Sequence, residues 1–135
     1  MQPLLIERIK TTVPGLAQVD SVFALADIER QSAASPACWV IYCGDEANDN
    51  PRQKSVVTQY WAVVLTTQYP DTKQTGDLLG KLINALSDWQ PHESSCQPLT
   101  RAKERLPVQF ENDFLCFPLL FSARFIWPRK AKWTP

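Results

Sequence analysis

Glycine is scarce in this chain, 4 of 135 residues, and neither the GxGxxG nor the GxxxxGK pattern of phosphate-cradling loops occurs. Nucleotide binding is disfavoured on that ground. Histidine is scarcer still. The single His92 stands in a polar stretch near Cys96, so a Cys–His nucleophile pair has its two residue types but no encoded third group or oxyanion site. Among Cys38, Cys43, Cys96 and Cys116, no pair has the two-residue separation of a zinc knuckle or redox motif. Asp45, Glu46 and Asp49 crowd together without the ligand spacing and distal glutamate of a calcium loop. No catalytic residue, cofactor or metal is therefore expected. Long apolar runs are also missing: none approaches the roughly 18 residues needed to cross a bilayer, and the opening MQPLLIERIK meets Glu7 before an apolar signal region develops. The expectation is a chain neither membrane-bound nor secreted by that route. Net charge is absent as well. Fourteen Lys+Arg balance fourteen Asp+Glu, so the basic field of most nucleic-acid binders is lacking.

What is present fits one compact soluble domain: 44% hydrophobic and 21% charged residues stand close to the globular averages of about 45–50% and about 25%. The expected organisation is a single α+β domain over residues 1–127 and an extended basic tail over 128–135. The charge is unevenly placed. Between Asp20 and Asn50 six acids face one base, Arg30, whereas after Asp113 there are four bases (Arg124, Arg129, Lys130, Lys132) and no acid. Either both stretches are simply solvated, or the acidic segment of one subunit meets the basic tail of another, where complementary charge fixes register. Trp133, alone in the proline-bounded tail, is likewise open to two readings, an interface anchor or part of a disordered or self-packed tail. The cysteines read as reduced and buried, with Cys38 and Cys43 on opposite faces of a strand.

Periodicity supplies the elements. Leu5, Ile9 and Val13 at four-residue steps predict a short helix from Pro3 to Thr12, ended by Val13-Pro14-Gly15. Val19 to Phe23 predicts a short strand and Leu25 to Gln31 a helical turn or two. Ala37 to Cys43 predicts a strand, followed by an exposed loop over 44–52. Gln53 to Gln68 alternates as a strand with one dry and one mixed face, long enough to reach past its neighbours as an arm. From Thr75 the period becomes helical, with Leu79, Leu82, Ile83, Leu86 and Trp89 on one stripe, a start capped by Thr75 or Asp71, and a stop at Pro91. Leu99 to Leu106 predicts a charged edge strand. Phe110 to Trp127 predicts a central strand with Leu115, Phe117, Leu119, Phe121, Ala123, Phe125 and Trp127 inward, and a bulge or edge position at Pro118.

This order of segments, with Gln59-Tyr60-Trp61-Ala62-Val63 in the long strand and the helix-end pattern Ala85-Leu86-x-x-Trp89-x-Pro91, resembles the tail terminator (tail completion) proteins of long-tailed bacteriophages and prophages. The resemblance covers residues 4 to 127. The family more often has glycine where this chain has Asp88. The resemblance implies an antiparallel or mixed sheet with two or three helices packed on one face, and a homo-hexameric ring on the head-proximal end of the tail tube. It also implies that the ring stops tube polymerisation, docks the head connector or neck protein, and lets DNA pass through its lumen without specific binding. Localisation would be the bacterial cytoplasm during assembly, then the virion tail and neck. The subunit or tube interface is expected at Asp45, Glu46, Asp49, Arg52, Arg129, Lys130 and Trp133. A tail-tube or neck adaptor protein is the alternative, and a small Cys–His enzyme a distant third.

Overall fold

The computed structural model describes residues 1–24, 27–28, 35–47, 54–68, 72–91, 95–102, 106–111 and 114–128. Helix α1 (Gln2–Thr12) leads, and its end follows the residue types: Val13, ahead of Pro14, is extended at φ -117°, and Gly15 takes φ 95°. Strands β1 (Gln18–Ser21), β2 (Ala37–Ala47) and β3 (Lys54–Thr67), helix α2 (Thr72–Leu86), and strands β4 (Thr100–Arg101), β5 (Gln109–Glu111) and β6 (Phe114–Pro128) follow. They form one mixed sheet in the order β1-β2-β3-β6-β4, with β5 also paired to β6. Among the described strands only β1 with β2 is parallel. The fold is α+β, as expected.

Strand alternation sorts the apolar residues into two layers. Val40, Val63, Leu65, Phe121 and Ala123 face Leu5 and Ile9 of α1 and Leu82 and Leu86 of α2 in the larger core. Ala37, Trp39, Ile41, Ala62 and Val64 face the other way, where Val22 and Ile28 from the connection between the parallel strands cover them. Burying one such side chain is worth about 1.5–3 kcal/mol. In this second layer the buried Trp39 indole donates to Thr66 Oγ1 at 2.9 Å, so the polar end of the largest buried side chain is satisfied.

Several boundaries differ from the sequence expectation, each for a local reason. The segment after Cys43 is not all loop, because β2 resumes after a bulge and pairs Asp45, Glu46 and Ala47 with Gln59, Thr58 and Val57. The long strand is not an arm reaching past its neighbours. β6 accompanies it from Lys54 opposite Pro128 to Thr67 opposite Leu115. The expected single strand from Phe110 is two: β5 turns back on β6 as a hairpin, Glu111 opposite Phe114. The Leu99 to Leu106 strand shrinks to Thr100–Arg101, at an edge as expected. Pro118 stands opposite Val64 without a break in register. Leu120, Arg124 and Ile126 bond outward to residues 102, 97 and 95, so by alternation Pro118 turns its missing N–H to the outer edge, where a donor is least needed. The expected turns of helix over 25–31 lie mostly outside the described residues, with 27 and 28 helical.

Helix α2 starts a turn earlier than its apolar stripe suggests, so Thr75 is not the cap. Its Oγ1 is buried without a hydrogen-bond partner, and Asp71 lies outside the described residues. The buried stripe is Leu78, Leu82, Ala85 and Leu86, with Leu79, Ile83 and Trp89 at its flank. The helix also stops before Pro91 can stop it, because Asp88 adopts the left-handed conformation at φ 61°. Asp88 N–H then donates to Leu99 O at 2.8 Å and Leu99 N–H to Trp89 O at 2.9 Å, tying the helix end to the return segment. Arg8 of α1 completes this corner: its Nε donates to Ala85 O at 2.9 Å and its guanidinium lies 5.4 Å from the Trp89 ring. The Ala85 to Pro91 pattern is therefore a corner where two helices and the sheet are joined.

Candidate assembly interface

The exposed end of β2 owes its shape to one glycine. Between the pairs Tyr42–Trp61 and Asp45–Gln59, two residues of β2, Cys43 and Gly44, stand opposite one of β3, Tyr60. Gly44 takes φ 102° there, a backbone that a side chain disfavours. The extra residue resets the alternation, so Asp45 returns to the face of Tyr42, and Tyr42 OH donates to Asp45 Oδ2 at 2.9 Å. That hydrogen bond, then slight desolvation and the Asp45 charge, raise the Tyr42 phenol above its ordinary pKa of 10.0. Beside it the Trp61 indole donates to Gln59 Oε1 at 3.1 Å, and the Tyr42 and Trp61 rings lie 5.1 Å apart at 54°. Both aromatics are thus held in fixed orientations.

These residues form one wall of a groove of ≈ 690 Å³. The opposite wall comes from the segment after β1, with Val22, Asp27 and Phe23, and the N-terminus of α1 closes one end, where Gln2 Nε2 donates to Ser21 Oγ. Phe23 is 97% exposed and Tyr42 45%, whereas Trp61 at 7% forms the floor. Phe23 and Tyr42 together present exposed aromatic surface along the groove. A second exposed apolar patch sits at the far side of the sheet, where Leu106 and Val108 (58% exposed) lead into β5. Since β1 and β4 end the strand order, with β5 on the outer side of β6, the two patches occupy opposite edges of the molecule.

Of the seven interface residues expected from the sequence, the structure describes two. Asp45 and Glu46 are both exposed in β2, on opposite faces, Asp45 beside the groove. Asp49, Arg52, Arg129, Lys130 and Trp133 lie outside the described residues. Their points of departure are described. Ala47 pairs with Val57 and Lys54 with Pro128, so the acidic segment after β2 and the basic segment after β6 leave from the same end of the sheet. Phe23, Tyr42 and Trp61 were not marked as a site by the sequence. The available signal was Gly44 inside a strand pattern, which announces a bulge and a change of facing.

No disulfide joins the four cysteines, three are buried, and Cys43, against expectation, is exposed. Burial pushes Cys38 up to about 12. Partial desolvation also raises Cys43, against a lowering hydrogen bond from the Ala62 backbone. Buried Cys96 donates to Gln97 O at 3.3 Å, and His92 lies outside the described residues. Among the described residues no group of three or more His, Cys, Asp or Glu is placed to hold a metal ion. Among them, too, no helix is long and apolar enough to cross a membrane.

The model of the family described as phage tail terminator protein matches residues 2–132. Comparison with curated protein sequences gives no match. Among solved structures, the chain is similar to one from the virion of a native gene transfer agent (GTA) particle. The TM-score is 0.64 at 12% sequence identity, over 94% of this chain and 95% of that one, a likeness of fold. A family match over nearly the whole chain, on a fold shared with a virion component, settles its membership: the chain belongs to the phage tail terminator protein family.

Proposed function

We propose that this protein closes the head-proximal end of a tail tube as a ring of six copies, stopping tube growth and offering the surface to which the neck or head connector docks. Its action is geometric and involves no catalysis. The observation that supports this best is the pair of unlike apolar patches at opposite sheet edges, Phe23 with Tyr42 on one and Leu106 with Val108 on the other. Unlike patches on opposite edges suit a head-to-tail contact, and head-to-tail contacts close into a ring when the rotation per copy divides a full turn. The similar chain from a gene transfer agent virion is consistent with such a place in a particle.

On this reading the interface residues Asp45, Glu46, Asp49 and Arg52 at one end of the sheet meet Arg129, Lys130 and Trp133 of an adjacent copy. One face of the ring copies the tube's own contact surface and the other does not, so no further tube ring adds. The lumen passes DNA without gripping it, for which a balance of 14 bases and 14 acids is suitable. The protein assembles in the bacterial cytoplasm and remains in the tail and neck of the virion.

Complementation between edge variants tests the head-to-tail contact. Phe23→Arg and Val108→Arg each abolish the ring, because each copy then lacks one partner surface. A mixture of the two variants retains a single good contact per pair and yields dimers but no ring. Rings from either variant alone, or from the mixture, would contradict a head-to-tail contact through these edges.

A further inference from the structure

Each side of the sheet has one stretch of strand edge whose backbone is taken and one whose backbone is open. Alternation decides which groups look outward. Val40 O accepts from Val22 N–H, so Tyr42, two residues on, also faces outward, and after the bulge Asp45 and Ala47 do, opposite Gln59 and Val57. β1 covers β2 only from Ala37 to Val40. The N–H and C=O groups of Tyr42, Asp45 and Ala47 therefore have no partner among the described residues. On the other side, the hairpin pair Glu111–Phe114 turns the backbone of Glu111 and Gln109 towards β6, which leaves that of Leu106, Val108 and Phe110 outward and open among the described residues. The remaining edges are blunted. In β1 the Ser21 N–H is taken by Asp20 Oδ1, and ahead of β4 Leu99 donates to Trp89 O and accepts from Asp88 N–H, so neither offers a run of open groups. An open strand edge is a template for another strand.

We infer that the edge 106–110 of one copy pairs antiparallel with the edge 42–47 of the next, an inference that rests on the ring proposed above. Direction, facing and stagger all agree with it. β2 and β6 both run antiparallel to β3, and β5 runs antiparallel to β6, so two sheets side by side with their helices on the same face bring β5 antiparallel to β2. The opposed residues are then Phe110 with Tyr42, Val108 with Asp45 and Leu106 with Ala47, each pair exchanging both N–H···O=C bonds. Gln109 stands opposite Cys116 of the second layer, so by alternation Leu106 and Val108 lie on the side of α1 and α2, as Tyr42 does with Val40. The pairing thus sets the exposed Val108 and Leu106 beside the exposed Tyr42, and covers all three. Within one copy Val108 is level with Leu65 and Asp45 with Gln59, six residues apart on β3, which is about 20 Å. Four strand spacings, from β2 through β3, β6 and β5 to the next β2, are about 19 Å. Strands so displaced stand at about 45° to the ring axis, at the upper end of the roughly 35–45° at which closed sheets settle.

Disulfide trapping of the full chain assembled on tail tubes tests the pairing. In a Cys43→Ser background, a chain carrying both Val108→Cys and Asp45→Cys is expected to form bonds between copies on mild oxidation, because opposed hydrogen-bonded residues lie about 5.5 Å apart at Cα, within disulfide range. The product is a ladder of covalent oligomers ending at six, and either cysteine alone gives no ladder. The backbone's part is read from the protein concentration at half-occupancy of tubes. Val108→Pro loses only an N–H that faces outward, away from its own sheet, and raises that concentration by about tenfold or more, whereas Val108→Thr keeps it within about threefold. Rings that form without the 45–108 disulfide, equal effects of proline and threonine at 108, or disulfides to the tube protein in place of the ladder overturn the inference while leaving a ring standing. If wild-type protein forms no ring on tubes at all, the ring proposal itself falls, and this inference with it.

Discussion

Asp88 carries the plainest residue-scale consequence. It is the one described non-glycine residue with positive φ, and the left-handed conformation costs an L-residue roughly 1–2 kcal/mol, less for Asp than for most. Asp88→Gly therefore raises stability by about 0.5–1 kcal/mol, read as a higher urea midpoint at unchanged slope, and Asp88→Ala lowers it. The sequence placed a turn after this helix at Pro91, but neither the left-handed backbone of Asp88 nor the pair of hydrogen bonds with Leu99 that holds it was readable there. Cys38 gives a pH dependence. Its folded pKa is raised from 9.0 to about 12, so its contribution is fully present below pH 9 and is lost as pH rises from there towards 12. Stability should fall by about 1.4 kcal/mol per pH unit across that window from this thiol, and Cys38→Ala should remove that part of the slope in alkaline urea titrations.

At the scale of elements, alternation and helical stripes made most of the fold readable, because α1, β2, β3 and β6 each bury a regular face. What escaped was set by backbone events that periodicity does not report. The bulge at Cys43-Gly44 turned an expected loop into strand, the pairing of Glu111 with Phe114 divided an expected strand, and Asp88 ended α2 ahead of Pro91. The candidate interface was only partly legible for the same reason: Asp45 was singled out by charge, but its hydrogen bond with Tyr42 depends on the bulge. Gly44→Val tests the bulge. A Cβ at Gly44 meets nothing within 4 Å, and at its positive φ backbone strain costs about 1–2 kcal/mol. If the strand relieves that strain by losing the bulge, Asp45 turns to the other face and the Tyr42 phenol titrates closer to 10.0, measurable by its ultraviolet absorbance.

For the whole molecule, the sheet carries unlike apolar surface at its two edges, Phe23 and Tyr42 at one and Leu106 and Val108 at the other. In the function proposed above, copies joined through these two edges add in one direction and close at a fixed rotation into one ring. Mass in solution tests that claim most directly, by light scattering on a size column over a concentration series, with and without purified tail tubes. The account predicts a ring of six, formed freely or recruited as a single ring per tube, with no further growth. A stable monomer that ignores tubes, or filaments formed by this protein alone, would contradict it.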